Sequence, residues 1–225
     1  MTRKQSYQLQ NTKQFVRNFL RVNNSGEFLV FLFFLFMAFV FWYLMTMNGE
    51  YEMTCGTEKR RLTNEEEISL DASSELLGED RVILTPQNGA SGVEILSIER
   101  NYGTPVYGGR IEIAKDSGGL VILNEVDLET YLYSVVPSEM PASYEMEALK
   151  AQAVCARSYA YRQILLNGYA SYGAHVDDSV SYQVYNNLTT DDKVIQAVNE
   201  TAGQVLKFGE EVATTYYFST SCGYT

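Results

Sequence analysis

Glu139 stands in the run Pro137-Ser138-Glu139-Met140-Pro141, a lone carboxylate between two prolines. A proline fixes its own φ and disfavours helical geometry in the residue before it. The spacing therefore predicts extended backbone at Ser138 and Met140, with Glu139 rigidly presented between them. A single carboxyl held in this way is suited to act as a catalytic acid. Its sequence neighbours Tyr131, Val135, Val136, Met140 and Tyr144 are apolar or aromatic, a setting that favours the neutral, proton-donating form of a carboxyl. The competing reading is a solvated loop glutamate, the commoner state of that residue type.

Other reactive side chains offer less. The stretch from Tyr169 to Tyr185 carries the chain's one histidine, His175, followed by Asp177 and Asp178. A zinc site needs three or four placed ligands and this stretch holds no cysteine, so neither a metal nor another cofactor is expected. The three cysteines, Cys55, Cys155 and Cys222, lie far apart and imply no disulfide framework. Cys55 sits after Glu52 in a context that spoils a lipidation signal and reads as a spare thiol. Cys155 falls in the middle of a helical pattern, without the helix N-terminus or adjacent cation that would activate it.

The elements that must position Glu139 are legible as patterns. Short β-like runs at 81–84, 93–98, 109–114 and 120–126 are separated by turn chemistry such as Asp116-Ser117-Gly118-Gly119, which predicts an antiparallel sheet. Asp127 can cap a helix from Leu128 to about Ser134, which Pro137 then ends. A second helix is expected from a Ser143 N-cap to about Asn167, with Gly168 as its left-handed C-terminal residue. Leu149, Ala153, Ala156, Ala160 and Ile164 give that helix an apolar stripe. Asp191–Thr201 reads as a third helix stopped by Gly203, and 204–208 with 212–218 as a hairpin around Gly209 and Glu210.

The segment Phe28–Met47 holds twenty residues without a charge, enough at the helical rise to cross about 30 Å of hydrocarbon. It reads as a single transmembrane helix. Arg3, Lys4, Lys13, Arg17 and Arg21 precede it, which puts residues 1–27 in the cytoplasm and everything after the helix outside. Residues 48–80, polar and acidic, read as a juxtamembrane linker. The expected architecture is thus α+β, a transmembrane helix followed by an extracytoplasmic domain, 81–225, of antiparallel strands packed with helices. Of 17 basic and 28 acidic side chains, five and one precede Asn48, leaving 12 against 27 outside, a net charge of −15. Nucleic acid is an improbable partner for that balance.

The run Leu128–Tyr161, LETYLYSVVPSEMPASYEMEALKAQAVCARSYAY, resembles the signature of the stage II sporulation protein D family, peptidoglycan lytic transglycosylases of spore-forming bacteria. The likeness continues in Gln183-Val184-Tyr185, in Ala197-Val198 with Thr201 and Gly203, and in Tyr217-Phe218-Ser219-Thr220-Ser221 with Gly223 and Thr225. The resemblance implies that Glu139 is general acid and then base. It would protonate the oxygen joining N-acetylmuramic acid to N-acetylglucosamine, then accept a proton from the muramic C6 hydroxyl as that oxygen closes a 1,6-anhydro ring.

Residue by residue, the resemblance makes Arg157 a second catalytic-site residue that positions Glu139 or the substrate, against the plain reading of an exposed helix arginine. It makes Gln183, Tyr185, Ser219 and Ser221 candidates for binding sugars. Zinc-bearing members carry cysteines near the His175 stretch, where this chain has Tyr182 before Gln183. The implied partners are glycan strands freed of stem peptides, together with the stage II sporulation proteins P and M, at the cell membrane during engulfment. Some relatives are amidase enhancers, so a non-catalytic, wall-binding module is the alternative, and a plain membrane-tethered scaffold a third. The family also has a further C-terminal stretch, so the chain reads as C-terminally truncated.

Overall fold

The computed structural model describes residues 5–8, 15–20, 42–77, 81–100, 102–116, 119–178, 181–186 and 190–217. They form an α+β protein of mainly antiparallel sheet and three α-helices, as the patterns predicted, with one parallel strand pair. The chain divides into two compact units, Leu20–Asn124 and a second made of Met1–Phe19 with Glu125–Thr225.

The first unit is built of strands. After β1 (Gln5–Gln8) and β2 (Phe15–Leu20), which belong mainly to the other unit, come β3 (Trp42–Asn48), β4 (Tyr51–Cys55), β5 (Glu58–Leu62) and β6 (Glu67–Asp71). A 3₁₀ turn at Glu75–Leu77 leads to β7 (Val82–Pro86), β8 (Gly92–Ile95), β9 (Val106–Tyr107) and β10 (Arg110–Asp116). One antiparallel sheet runs in the order β6-β3-β8-β9, and another pairs β10, β7, β4 and β5 in that order. Alternate residues turn inward, as the period of two in a strand requires: Met45 and Met47 from β3, Tyr51 and Met53 from β4, Ile68 and Leu70 from β6 are all buried. Between β3 and β4 the chain turns at Gly49, whose φ is 106° and where a Cβ would meet the Cα of Ala90 at 2.6 Å, so no larger residue fits. The buried charge of this unit is Glu112, held by Arg81 and Arg110, each at 2.8 Å.

Two expectations are corrected here. The apolar run was expected to span a membrane as far as Met47, but Trp42–Asn48 is strand β3, paired on both sides with β6 and β8. A uniformly apolar sequence does not reveal which of its residues will find hydrogen-bonding neighbours, and these do. Residues 28–41 lie outside the described residues, and among those described no helix is long and apolar enough to cross a membrane. The acidic stretch 48–80 is likewise no linker, since it contributes β4, β5 and β6 to the sheets.

Strand β11 (Gly119–Asp127) carries the chain into the second unit. There follow α1 (Leu128–Glu139), α2 (Met146–Leu166), β12 (Val176–Asp177), α3 (Asp192–Glu200), β13 (Gln204–Phe208) and β14 (Glu211–Val212). The Asp127 side chain accepts the Glu129 N–H at 3.0 Å, the expected cap. Helix α2 starts one turn's fraction later than expected, with Glu145 rather than Ser143 as N-cap, and stops at Asn167 rather than Gly168. Asn167 takes the left-handed conformation (φ 50°, ψ 47°), which asparagine tolerates better than most residues. Lys150 joins α2 to α3 through Glu200 at 2.6 Å. Strands β13 and β14 form the hairpin, its second strand only Glu211–Val212 where 212–218 was expected; β13 also pairs antiparallel with β1, and β12 pairs in parallel with β2.

Candidate functional site

Helix α1 runs through Pro137 and ends at Glu139. Pro137 was expected to force the chain out of the helix, leaving Ser138 extended and Glu139 in a loop. Instead the proline forfeits a single backbone bond, to Tyr133 O, and the turn around it is held by others. The Met140 N–H reaches Val136 O at 2.9 Å, and Ser138 Oγ donates to Ser134 O at 2.6 Å. Met140, ahead of Pro141, is extended as expected (φ −140°, ψ 120°) and breaks the helix there. Glu139 is therefore the last helical residue, its side chain half-buried where the chain turns away.

The segment 183–186 lies against this helix end. The Val184 N–H donates to Glu139 Oε1 at 2.9 Å, and the Asn186 N–H donates to Ser138 Oγ at 3.1 Å. Two successive side chains of the helix thus anchor two alternate backbone amides of the segment. The apolar setting expected for Glu139 is present on one side, where Tyr131, Val135 and Val136 are buried. Tyr144 by contrast is 52% exposed.

Gln183 is 1% exposed and works as an interior clamp. Its Nε2 donates to Ala156 O at 3.2 Å and to the Tyr217 hydroxyl at 2.9 Å, while its Oε1 accepts from the Tyr131 hydroxyl at 3.4 Å. Tyr185, 6% exposed, stacks on Tyr131 with ring centroids 5.3 Å apart and planes 10° from parallel. Both residues were candidates for binding sugar; in the structure both side chains are buried, on either side of the Val184 amide that reaches Glu139. Ser219 and Ser221 lie outside the described residues.

Tyr217 and Tyr131 were not singled out as site residues by the sequence, although Tyr217 opens a motif that carries the resemblance. Burial raises the Tyr217 hydroxyl well above its ordinary range; the Gln183 hydrogen bond works against this and the Glu139 charge adds to it. Burial does the same to Tyr131, with the neighbouring tyrosines and Glu139 adding to the rise. Both hydroxyls therefore remain protonated donors at any physiological pH.

Arg157 is 0% exposed and faces the opposite end of α1. Its Nε and Nη2 grip Glu129 at 2.8 and 2.6 Å, and its remaining N–H groups reach Val198 O at 3.1 Å and Gln204 O at 3.2 Å. Glu129 Oε1 also accepts the Gly203 N–H at 3.1 Å. The arginine joins α1, α2, α3 and the start of β13, and its donors are occupied there rather than at Glu139. Glu129, which the sequence reading passed over, is its partner. The one cue was its place in the first turn of a capped helix, where an acid is favoured by the helix dipole.

The His175 region adds a further hydrogen bond, from the Tyr169 hydroxyl to the buried Asp177 at 2.6 Å. Among the described residues no three histidine, cysteine or acidic side chains stand close enough together to hold a metal.

The arrangement around Glu139 lies within a stretch shared with known proteins. The family model described as stage II sporulation protein, SpoIID, matches residues 116–208. Stage II sporulation protein D of Bacillus subtilis is 37% identical over 117 residues, 46% of this chain and 34% of the relative. The amidase enhancer of the same organism is 39% identical over 94 residues, 42% of this chain and 12% of the relative. An uncharacterized protein of Brachyspira hyodysenteriae is 38% identical over 118 residues, 52% of this chain and 32% of the relative. The chain thus spans about a third or less of the length of these relatives, and the shared stretch contains α1, Glu139, the buried Arg157 and the Gln183 clamp. Over that stretch the chain is similar to the stage II sporulation protein D family.

Proposed function

We propose that the protein is a peptidoglycan lytic transglycosylase acting on glycan strands in sporulation, at engulfment, with Glu139 as its acid and base. The observation that carries this reading is a lone half-buried carboxylate at the end of α1, one oxygen fixed by the Val184 amide. No described residue hydrogen-bonds its other oxygen. Most glycosidases need a second carboxylate to act as nucleophile or to activate water. A transglycosylase does not, because the substrate supplies the nucleophile. Glu139 gives its proton to the glycosidic oxygen as the bond from the muramic C1 breaks, and the sugar's own C6 oxygen bonds to C1. The C6 proton returns to Glu139, so residue and charge end as they began.

Glycan strands freed of stem peptides, the stage II sporulation proteins P and M as co-workers, and a membrane anchor with the catalytic unit outside belong to the same proposal. The test is chemical. Glu139→Gln lowers the rate of glycan cleavage by at least ~10²-fold, and the wild type releases 1,6-anhydromuramic ends, lighter by one water than hydrolysis products. Reducing ends in their place reject the mechanism.

A second reading is favoured by the relative named amidase enhancer: the unit binds wall or a hydrolase and stimulates it without cleaving. If wild type and Glu139→Gln cleave nothing but stimulate an amidase equally, that reading replaces the first.

The anchor has its own test. Pairing of β1 with β13 requires both strands on one side of a membrane, whereas a span between residues 28 and 41 puts them on opposite sides. Protease outside wall-free cells is expected to remove the residues after Asn48 and spare a protected N-terminal fragment. Loss of that fragment along with the rest overturns the anchor.

A further inference from the structure

Tyr216 and Tyr217 are consecutive residues with opposite surroundings. The Tyr217 hydroxyl is held by the buried Gln183, whose neighbour Val184 holds Glu139. Tyr216 is 80% exposed. The stretch that carries them is fastened to α2, where Thr215 Oγ1 donates to Cys155 O at 2.7 Å. Beneath Tyr216 lies Tyr159 of α2, 7% exposed, its ring centroid 6.1 Å away and its plane at 63°. That is the edge-to-face arrangement aromatic pairs prefer, and it holds an outward ring in place without covering it.

We infer that Tyr216, supported by Tyr159, is a stacking subsite for one pyranose ring of a glycan strand whose neighbouring linkage lies at Glu139. The inference rests on the lytic reading for its ligand class. A pyranose ring offers a flat face of C–H groups bordered by hydroxyls, which fits an aromatic platform better than an aliphatic one. A single exposed ring matches the face of one sugar. It is adjacent in sequence to Tyr217, whose hydroxyl is held by Gln183, the neighbour of the Val184 that holds Glu139.

The test uses the full chain and chitohexaose, a soluble β-1,4-linked N-acetylglucosamine oligomer, with binding measured by calorimetry. Tyr216→Ala is expected to weaken binding by about tenfold, while Tyr216→Phe and Tyr216→Trp keep it within about twofold. Tyr102→Ala, which removes an exposed tyrosine of the other unit, serves as a control and leaves binding unchanged. Equal affinity for wild type and Tyr216→Ala overturns the subsite, as does failure of the aromatic replacements to retain binding or of the wild type to bind. Tyr216-dependent binding together with hydrolytic rather than 1,6-anhydro products overturns the lytic reading and leaves the subsite standing.

Discussion

The two ends of α1 each carry a glutamate, ten residues apart, and treat it in opposite ways. At the N-terminal end, Glu129 has both oxygens engaged: Oε1 by Arg157 Nε and the Gly203 amide, Oε2 by Arg157 Nη2. Its side chain is 26% exposed and its partner 0%. At the C-terminal end, Glu139 holds one backbone amide through one oxygen. The helix dipole favours the first carboxylate and opposes the second, by roughly 0.3–1 kcal/mol each in exposed settings. Glu129 is thus where an acid stabilises a helix, and Glu139 is where it does not. A carboxylate that the helix dipole does not favour and that keeps hydrogen-bonding capacity is what the proposed acid–base role requires.

The largest effect is expected from breaking the first end. Arg157→Leu removes the charged partner of Glu129, which keeps only the Gly203 amide, and one donor each from the carbonyls of Val198 and Gln204, at a cost of about 3–5 kcal/mol. In a chain of this size that lowers the melting temperature by about 10 °C, read by calorimetry. A fall of only a degree or two would mean that the arginine does not hold the helices together.

The second end should behave in the reverse sense. Glu139→Gln keeps an oxygen for the Val184 amide, so unfolding free energy is expected to stay within about 0.5 kcal/mol of wild type in urea titration. The loss falls on cleavage. A large destabilisation would make Glu139 another structural acid and erase the contrast.

Gln183→Leu probes the clamp between the two. If Gln183 binds sugar, stability is unchanged; if it serves the interior, loss of its bonds to Ala156, Tyr217 and Tyr131 costs about 1–3 kcal/mol, the expected outcome.

The smallest effect comes from a residue outside α1. The Tyr51 hydroxyl on β4 is buried without a hydrogen-bond partner among the described residues, and burial pushes it up to about 12. Tyr51→Phe is therefore expected to be neutral or to stabilise by up to about 1 kcal/mol at pH 7. The folded value lies above the unfolded value of about 10, so the native protonation preference is fully present below pH 10 and is lost as pH rises toward 12. The variant lacks that loss, and its stability should fall less steeply across pH 10–12.

Much of this was legible in the sequence. The existence of the three helices, the Asp127 cap, the turn of the hairpin and the role of Pro141 followed from local rules that the tertiary structure left intact, while the end of α1, the N-cap of α2 and the length of the hairpin's second strand did not. Strands β4 and β6 were missed because their acids suggested a linker, although Tyr51 and Met53, and again Ile68 and Leu70, alternate with polar residues in the strand pattern. Here periodicity was the better guide than charge. The helix end at Glu139 was misread because proline's local preference was outweighed by bonds to segment 183–186, some 45 residues away. Glu139 itself stood out by residue type and spacing. The inward roles of Arg157, Gln183 and Tyr185 did not, because a motif marks which residues a fold retains without saying whether they face ligand or core.

The hydrogen bond that steadies Glu139 comes from the main chain of residue 184. Every amino acid except proline supplies the same N–H, so exchanging side chains one at a time would mark Val184 as permissive and leave the contact unseen. Val184→Pro alone deletes the donor. A site held in this way is insulated from most mutation at its own support and exposed instead through Gln183, the residue before it, whose buried side chain ties that backbone to Ala156 and Tyr217.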